Sequence, residues 1–339
     1  MGEFWSKMAY YGLYSRSRSW SYSRNYVRGL FNDSLSCCVN ALLQSFSATT
    51  ELLDILNKWN PSDRIERSNI PLHLKNTLLA MRDVSHPDPH VDFLDSLYRH
   101  TIRRYTQQDA DEIFHIILNL IQKQMPDRCL AQEIRSLYEI KVETQVKCSH
   151  CASVQRMPTS LFSLPLAICE GGNTLESCIN SFFQLQNLVD GEEWFCDQCE
   201  KKQPSTHELK LVSLPPILCV HLKRFRNDRG FTRKLNSKVT FLETFSTDVF
   251  AAGQSENVAN DSPRAGEHYS LYAVIVHIGS AMSGHYTAYI RPFQDQAWYY
   301  ADDNHVQPVT WSDVQQYTYK GSSTAYLLLY RKKSWNSSG

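Results

Sequence analysis

The chain lacks three features that would place it in a common class of protein. Its 35 basic and 35 acidic side chains give a net charge of zero, whereas nucleic-acid binders carry excess positive charge. No apolar run approaches the length of a membrane span. No secretory signal peptide is visible, so we expect reduced cysteines rather than disulfides.

The composition that remains is that of an intracellular globular enzyme, with 339 residues of which 42% are hydrophobic. Two domains are the simple expectation for this length. The motifs described below nevertheless lie near both ends of the chain, and single catalytic units of this size are common. We therefore predict one catalytic domain over 29–335.

The first 28 residues differ from the rest in character. They hold four arginines among serines and tyrosines, and no acidic residue lies between Glu3 and Asp33. We interpret 1–28 as a flexible basic extension. A mitochondrial transit peptide has a similar composition, but no clean amphipathic helix supports that alternative. A second flexible segment is expected at 251–267, which is rich in Gly, Ser, Asn and Pro.

Cys37 begins a segment with the periodicity of an amphipathic helix, in which Val39, Leu42, Leu43 and Phe46 recur at helical spacing. A thiol at a helix start lies beside unpaired backbone N–H groups and the positive end of the helix dipole. Both favour the thiolate, which is the nucleophilic form of cysteine. The simpler alternative is a buried cysteine that only packs in the core.

His285 is a candidate general base, and it favours the nucleophile interpretation of Cys37. The surrounding sequence predicts a strand, a loop next to Gly284 and a second strand that starts at His285. A base must be held on a rigid element and be reachable from a cleft, and a glycine beside it leaves the approach open. His277, inside the preceding strand, is more typical of a core or supporting histidine.

Asp302 and Asp303 follow an aromatic run, so a neighbouring strand could bring a carboxylate beside His285. There it would fix the tautomer of the imidazole and stabilise its charged form. The same pair is also an ordinary turn sequence. Asn32, five residues before Cys37, could donate to an oxyanion, an interaction worth about 10²- to 10³-fold in rate. An Asx turn is its other interpretation, and the two roles are compatible.

A buried helix is predicted to begin near Asp109, because apolar residues recur at helical spacing at 113, 116, 117, 120 and 121. Thr106 with Asp109 is like the start of a capping box. On the residues alone, Asp109 is a helix cap.

Two cysteine pairs form the second strong motif of the chain. In each pair two residues separate the cysteines, which lets both thiolates bind one ion, and two pairs complete the four-sulfur shell that structural Zn²⁺ prefers. The 44 residues between the pairs exceed the usual zinc-ribbon spacing, so the site would link two distant hairpins. His150 is an alternative ligand. The expected zinc ligands are Cys148, Cys151, Cys196 and Cys199.

Together these segments resemble the ubiquitin-specific protease family, and the likeness covers nearly everything after residue 28. It implies an α+β, papain-like fold with a helical thumb at about 29–125 and with zinc-tipped β fingers and a β-sheet palm at about 126–335. The matching segments are Gly29-Leu30-x-Asn32, Asn40 and Gln44, Gln107-Gln108-Asp109-Ala110, Leu214-Pro215, His221-Leu222-Lys223-Arg224-Phe225, Gly284-His285-Tyr286, Asp302-Asp303 and 325–330.

The resemblance also implies a role for each site residue. Cys37 would be the nucleophile, His285 the base and Asp302 its orienter. Asn32 would be the oxyanion donor and Asp303 an auxiliary carboxylate. The residues implied to bind or line the channel for the substrate's C-terminal tail are Asp109, Gly284 and Tyr286. A carboxylate such as that of Asp109 can accept from backbone N–H groups or an arginine of the tail.

By this resemblance the protein is a thiol isopeptidase that cleaves a ubiquitin-like modifier from lysines after its C-terminal Gly-Gly. Several details resemble the deISGylating branch of the family, which acts on the interferon-induced tandem-ubiquitin-like modifier. They are the Cys37-Cys38 pair, a methionine before Ser283-Gly284, the segment 136–140 and the absence of a large insertion. The expected partners are this modifier and its conjugates, ubiquitin, and an interferon receptor complex. The expected location is the cytoplasm, with the nucleus as an alternative.

Two other functions stay open. One is a broad deubiquitinase. The other is a weakly active scaffold that restrains interferon signalling, because Ser34 and Leu35 stand where relatives carry Gly and a polar amide. If position 34 needs a positive φ, Ser costs more there than Gly, and the loop entering the site would be misaligned. Asp111 and Ile113 also replace the usual His and Phe. The complete set of Cys, His, Asp and Asn argues against the scaffold.

Overall fold

The structure is a computed structural model that describes residues 27–33, 35–61, 68–82, 88–100, 102–189, 191–228, 230–250, 266–294 and 296–333. Most of the predicted N-terminal extension, Ser34 and most of the segment 251–267 lie outside these residues. The α-helices are α1 Cys37–Ser47, α2 Thr50–Lys58, α3 Ile70–Ala80, α4 Val91–His100, α5 Ala110–Gln124, α6 Arg128–Tyr138, α7 Leu175–Phe183 and α8 Trp311–Tyr317, with a 3₁₀ helix at Thr247–Phe250.

The strands occupy the later part of the chain and complete the predicted α+β class. They are β1 Ile140–Cys148, β2 Val154–Leu161, β3 Leu164–Ala167, β4 Asn173–Thr174, β5 Gln186–Leu188, β6 Trp194–Cys196, β7 Lys201–Gln203, β8 Ser205–Ser213, β9 Ile217–Lys223, β10 Phe225–Asp228, β11 Phe231–Lys234, β12 Val239–Thr240, β13 Thr244–Ser246, β14 His268–Gly279, β15 Gly284–Ile290, β16 Trp298–Asp302, β17 His305–Val309 and β18 Thr324–Lys332.

In the described part of the chain, six helices precede the first strand and form the helical half of the molecule. The amphipathic helix predicted from Cys37 is confirmed as α1, and the buried helix predicted near Asp109 is confirmed as α5. The N-cap of α5 is Asp109, whose carboxylate accepts from the backbone N–H groups of Asp111 and Glu112 at 2.8 and 3.1 Å, so Thr106 is not the cap. The predicted thumb boundary near 125 falls between α5 and α6 and stays a prediction.

A large sheet carries the predicted base and its carboxylate. Its strand order is β17-β16-β15-β14-β18-β9-β3, with β13 on the side of β14, and its pairings are antiparallel except β3 with β9. Side chains of β18 alternate between two cores. Leu327 and Leu329 pack toward the helical half, whereas Leu328 and Tyr330 pack toward the opposite face with α7 and α8.

A second sheet, of order β2-β1-β8-β5, leads away from the large sheet to the hairpin of β6 and β7. The first cysteine pair lies at the turn between β1 and β2, and the second lies at the turn between β6 and β7. The two cysteine pairs therefore lie on two separate hairpins, as the spacing predicts. In the described part of the chain, no helix is both long enough and apolar enough to cross a bilayer.

The segment before α1 packs on the turn after β16, which joins two regions far apart in sequence. The backbone N–H of Leu30 donates to the carbonyl of Asp303 at 2.9 Å. A Cβ at Gly29 would lie 2.3 Å from the carbonyl oxygen of Asn304. Only glycine allows this approach of two backbones. Val27 is buried as well, so the chain is packed before residue 29.

Gly29→Ala should force the two backbones apart and destabilise the protein by about 1–3 kcal/mol, the usual cost of overpacking. Gly172→Ala is the matched control, because a Cβ there meets nothing within 4 Å and its φ is not positive. Thermal unfolding of both variants checks the expectation. Equal unfolding temperatures would contradict the close approach.

Candidate active site

Cys37 is the first residue of α1 and is buried. The helix lies against β15 and β14, so its first turn faces the strand that begins at Gly284 and His285. The next residue, Cys38, is also buried, and burial together with the negative charge of Cys37 raises the pKa of the Cys38 thiol. Of these two adjacent cysteines, Cys37 is the one in contact with a histidine.

His285 lies between the thiol and a carboxylate. Its Nε2 is 2.6 Å from Oδ1 of Asp302, and its imidazole is also hydrogen-bonded to the thiol of Cys37. An Nε2–H that donates to Asp302 leaves Nδ1 to exchange a proton with Cys37. Burial alone would lower the pKa of His285, but the hydrogen bonds to Asp302 and Cys37 outweigh it and raise the pKa to about 10. A charged ring favours a thiolate beside it.

Asp303 joins the segment before α1 to this arrangement. Its carboxylate oxygens accept from the side-chain amides of Asn32 and Asn40, each at 2.8 Å. One of these oxygens, Oδ2, lies 3.8 Å from Nε2 of His285. Burial raises the pKa of Asp303, although the amide bonds and the charge of His285 oppose this. Asp303 therefore acts as a bridge between α1, its preceding segment and the base.

Asn32 reaches the start of α1 from the preceding segment. Its Oδ1 accepts from the backbone N–H of Ser36 at 2.9 Å, four residues on, so it holds the loop before α1 without forming the two-residue Asx turn that the sequence predicts. In the described part of the chain, its amide donates to Asp303 alone, so one of its two N–H groups makes no hydrogen bond there. This N–H leaves the predicted donor role open.

His90 also supports this segment, a role that the sequence does not predict. It is almost fully buried, and its Nε2 lies 2.7 Å from the carbonyl oxygen of Phe31. Burial lowers the pKa of His90, so the neutral ring donates to this carbonyl. Asn40 donates to the same oxygen at 3.2 Å. A single histidine in a loop has no periodicity or spacing that could have predicted this contact.

Leu35, rather than a glycine, adopts a positive φ of 69° in the turn before Cys37. Its side chain is exposed. The positive φ considered above for position 34 is thus found at the next residue. A bulky residue in this conformation costs about 1–3 kcal/mol of backbone strain. Ser34 itself lies outside the described residues.

Of the residues predicted to line a tail channel, Asp109 caps α5, whereas Gly284 and Tyr286 lie on β15. We use the name tail channel for the region between the start of α5 and β15. Besides capping α5, Asp109 accepts from the hydroxyl of Tyr326. The backbone N–H of Ala110 donates to the hydroxyl of Tyr286. The carboxylate is therefore held in place by partners from both sides of the channel.

Asp111, which replaces the histidine of relatives, has histidine partners instead. Its Oδ2 lies 3.0 Å from Nδ1 of His221 and 3.6 Å from Nδ1 of His115. Burial would raise the pKa of Asp111, but the hydrogen bond and charge of His221 lower it overall. The departure is thus accommodated by an ion pair that ties α5 to β9.

Gly284 has a packing role that the sequence did not predict. A Cβ there would lie 2.1 Å from Nε2 of His277. His277 is buried as predicted, with its ring 4.9 Å from that of Tyr286. Burial and the nearby charges of Lys234 and His285 lower the pKa of His277 to about 3, so it stays neutral. Glycine is needed at 284 because a neutral histidine fills the space beneath it.

The four cysteines predicted to bind a metal lie together at the end of the second sheet. Their sulfur atoms all lie within 4.8 Å of one another, and those of Cys151 and Cys196 are 3.5 Å apart. Apart from these four and Cys37, five cysteines remain, and all five are free, as predicted for reduced thiols. Cys38, Cys178 and Cys219 are buried, whereas Cys129 and Cys169 are exposed.

Comparisons with known proteins agree with this geometry. Residues 28–330 match the family model described as ubiquitin carboxyl-terminal hydrolase. The chain is 31% identical to human Ubl carboxyl-terminal hydrolase 18, over 94% of the chain and 88% of the relative. It is 32% identical to the mouse protein of that name, over 90% and 85%. It is 26% identical to human ubiquitin carboxyl-terminal hydrolase 47, over 94% of the chain but 29% of that longer relative.

Burial lowers the pKa of His285, and in Asp302→Asn the hydrogen bond to Cys37 would be the main interaction left to raise it. The pKa of His285 should therefore fall from about 10. Because this pKa is above its ordinary value, the charged ring stabilises the fold fully below about pH 6.5. This stabilisation is lost as the pH rises through about 10, and the variant loses it at lower pH.

NMR titration of His285 measures this shift, and alkylation of Cys37 by iodoacetamide at pH 7 reports the thiolate. The alkylation rate should fall in the variant, because a less readily protonated ring favours the thiolate less. Asp92→Asn, at an exposed carboxylate on α4, is the control. An unchanged His285 titration in Asp302→Asn would show that the carboxylate does not govern the base.

Proposed function

The chain belongs to the ubiquitin carboxyl-terminal hydrolase family, and we propose that it is a thiol isopeptidase that removes a ubiquitin-like modifier from lysines after the modifier's C-terminal Gly-Gly. The observation that carries this proposal is the hydrogen-bonded order of thiol, imidazole and carboxylate in Cys37, His285 and Asp302. This order is the general arrangement of a nucleophile, its base and an orienting group.

In the first half of the proposed reaction, the Cys37 thiolate attacks the carbonyl carbon of the terminal glycine. Backbone N–H groups at the start of α1 and the remaining N–H of Asn32 stabilise the oxyanion. The charged His285 then protonates the lysine nitrogen as the C–N bond breaks. The target protein leaves, and the modifier stays bound to Cys37 as a thioester.

In the second half, His285 is neutral and takes a proton from water, which attacks the thioester carbonyl. The C–S bond breaks, the modifier leaves with a free carboxylate, and the thiolate–imidazolium pair is restored. Asp302 keeps the ring in one tautomer through both halves.

The tail channel accounts for the proposed preference for Gly-Gly. Its sides are formed by Asp109 at the start of α5 and by Gly284 and Tyr286 on β15. Only glycine lacks the Cβ that would contact these sides. The Asp109 carboxylate is positioned to accept from N–H groups of the extended tail.

Within this activity, we propose the interferon-induced tandem-ubiquitin-like modifier as the substrate. The support is the 31–32% identity, over nearly whole chains, to proteins named Ubl carboxyl-terminal hydrolase 18. A broad deubiquitinase is the second candidate, supported by the 26% identity to ubiquitin carboxyl-terminal hydrolase 47. An association with an interferon receptor complex and a cytoplasmic location are proposed on the same family resemblance.

We also propose that Cys148, Cys151, Cys196 and Cys199 hold one structural zinc ion. Four sulfur atoms within 4.8 Å of one another match the size and chemistry of a tetrahedral four-cysteine site. Such a site is closed by its own ligands, so bound zinc would fasten the β1–β2 turn to the β6–β7 hairpin and take no part in the reaction.

Two electrophilic probes test the activity and the substrate together, one built on ubiquitin and one on the tandem modifier. We expect the wild-type protein to form a covalent adduct with the tandem probe only. Cys37→Ala should lose the adduct. Cys38→Ala should keep it, because burial raises the pKa of that neighbouring thiol.

Equal labelling by both probes would favour the broad deubiquitinase. Labelling that survives in Cys37→Ala would exclude Cys37 as the nucleophile. A folded wild-type protein that reacts with neither probe would refute the enzyme for these substrates and favour the binding scaffold.

Metal analysis of the purified protein tests the zinc site, and we expect about one zinc per chain. Cys199→Ser should lose the metal and lower the unfolding temperature, since metal binding contributes to folding. Cys129→Ser, at an exposed cysteine outside the cluster, should keep the metal and serves as the control. Purified wild-type protein without zinc, or a Cys199→Ser variant that retains it in full, would contradict the proposal.

A further inference from the structure

Gln107 spans the tail channel at its exposed edge. It lies two residues before Asp109, and its amide pairs with the backbone of Gly284 on the opposite side. The N–H of Gly284 donates to Oε1 of Gln107 at 2.9 Å, and Nε2 of Gln107 donates to the carbonyl of Gly284. One side-chain amide thus presents an acceptor and a donor to a single residue, as a neighbouring strand would.

The edge of β15 explains why Gly284 has these groups to offer. On one side, β15 pairs with β14 along its whole length, from Gly284 to Ile290. On the other side, the described strands pair with β15 only from Ala288 to Ile290, through β16. The first residues of β15, which include His285, therefore form an open edge. Gln107 takes up the backbone groups of Gly284 at this edge.

Gly284 is held in place by contacts other than that with Gln107. The ring of His277 fills the space where a side chain of residue 284 would lie, since a Cβ there would be 2.1 Å from Nε2 of that ring. Pairing with Gly279 on β14 fixes its backbone as well. The length of the Gln107 side chain therefore sets how far the loop before α5 stands from the start of β15.

Two deeper hydrogen bonds also join the start of α5 to the sheet, and in both the partner on the sheet is a tyrosine hydroxyl. The hydroxyl of Tyr326 donates to Asp109, and that of Tyr286 accepts from the backbone of Ala110. Both tyrosine side chains are buried. Gln107, by contrast, is exposed. The tyrosines thus fix the floor of the channel, and its width near the surface depends on the Gln107 amide.

We propose that Gln107 is a positioning residue that sets the width of the tail channel beside His285 and thereby enforces glycine at the end of the modifier. This inference rests on the proposed isopeptidase function. With the amide in place, the gap fits a residue without a side chain. Without it, the loop before α5 can move outward, and a tail that ends in alanine can enter.

The test compares two fluorogenic substrates made from the tandem modifier, one ending in Gly-Gly and the other in Gly-Ala. The ratio of their kcat/KM values measures the discrimination. Pockets that exclude one methyl group discriminate by about 10- to 200-fold. We expect Gln107→Ala to reduce the ratio by about tenfold or more, mainly by raising the Gly-Ala rate.

Gln107→Glu has the same size but cannot donate to the Gly284 carbonyl, so it should reduce the ratio as well. Gln108→Ala is the matched control. That neighbouring side chain is half-buried and, among the described residues, donates only to the carbonyl of Thr106 in its own loop, at 3.3 Å, so its ratio should equal that of the wild type. Unfolding temperatures confirm that all three variants are folded.

A lower rate on both substrates with an unchanged ratio would show a merely structural role and overturn the inference. A higher Gly-Gly rate in Gln107→Ala would overturn it too, because the amide would then block the tail. If the wild-type protein cleaves neither substrate, the proposed function falls, and the inference with it. If it cleaves Gly-Gly while the variants keep its ratio, only the inference fails.

Discussion

The candidate active site depends on how one half-buried carboxylate joins two distant parts of the chain. Asp303 holds Asn32 and Asn40 through its carboxylate and Leu30 through its carbonyl. Its partners are amides rather than a cation, so its negative charge is not cancelled by the groups that bind it. That charge lies 3.8 Å from the ring of His285, where it helps to keep the base protonated. The same residue thus organises the nucleophile helix and influences the base.

The floor of the site, beneath His285, is held by two cationic side chains that donate to backbone carbonyl oxygens. Lys234 donates to the carbonyl oxygens of His277, Gly279 and Ser322 at 2.7–3.0 Å. Burial and the charge of Arg224 lower the pKa of Lys234 to about 8. Arg224 itself is fully buried and donates to several main-chain oxygens. These bonds fix the turn that leads into β15. His285 is therefore positioned by the backbone beneath it as well as by its hydrogen bond to Asp302.

The sequence predicted the parts of the site that depend on local pattern. Apolar spacing predicted α1 and α5, and the residue type of Asp109 predicted the helix cap. The spacing within the two cysteine pairs predicted that all four sulfur atoms lie together. Contacts between distant residues were not predictable. The bond between His90 and Phe31 and the pairing of Gln107 with Gly284 join residues 59 and 177 positions apart, and neither leaves a periodic signal. The positive φ of Leu35 also escaped prediction, because its residue type disfavours that conformation.

The place of β18 in the large sheet determines when that sheet can be completed. This strand follows every other strand in sequence, yet it lies between β14 and β9. During synthesis, both neighbours must wait with unpaired edges until it emerges from the ribosome, and exposed edges of this kind invite aggregation. Tyr326, which holds Asp109, arrives with the same strand. A nascent chain therefore contains Cys37 long before the strand that completes the cleft around it has been made.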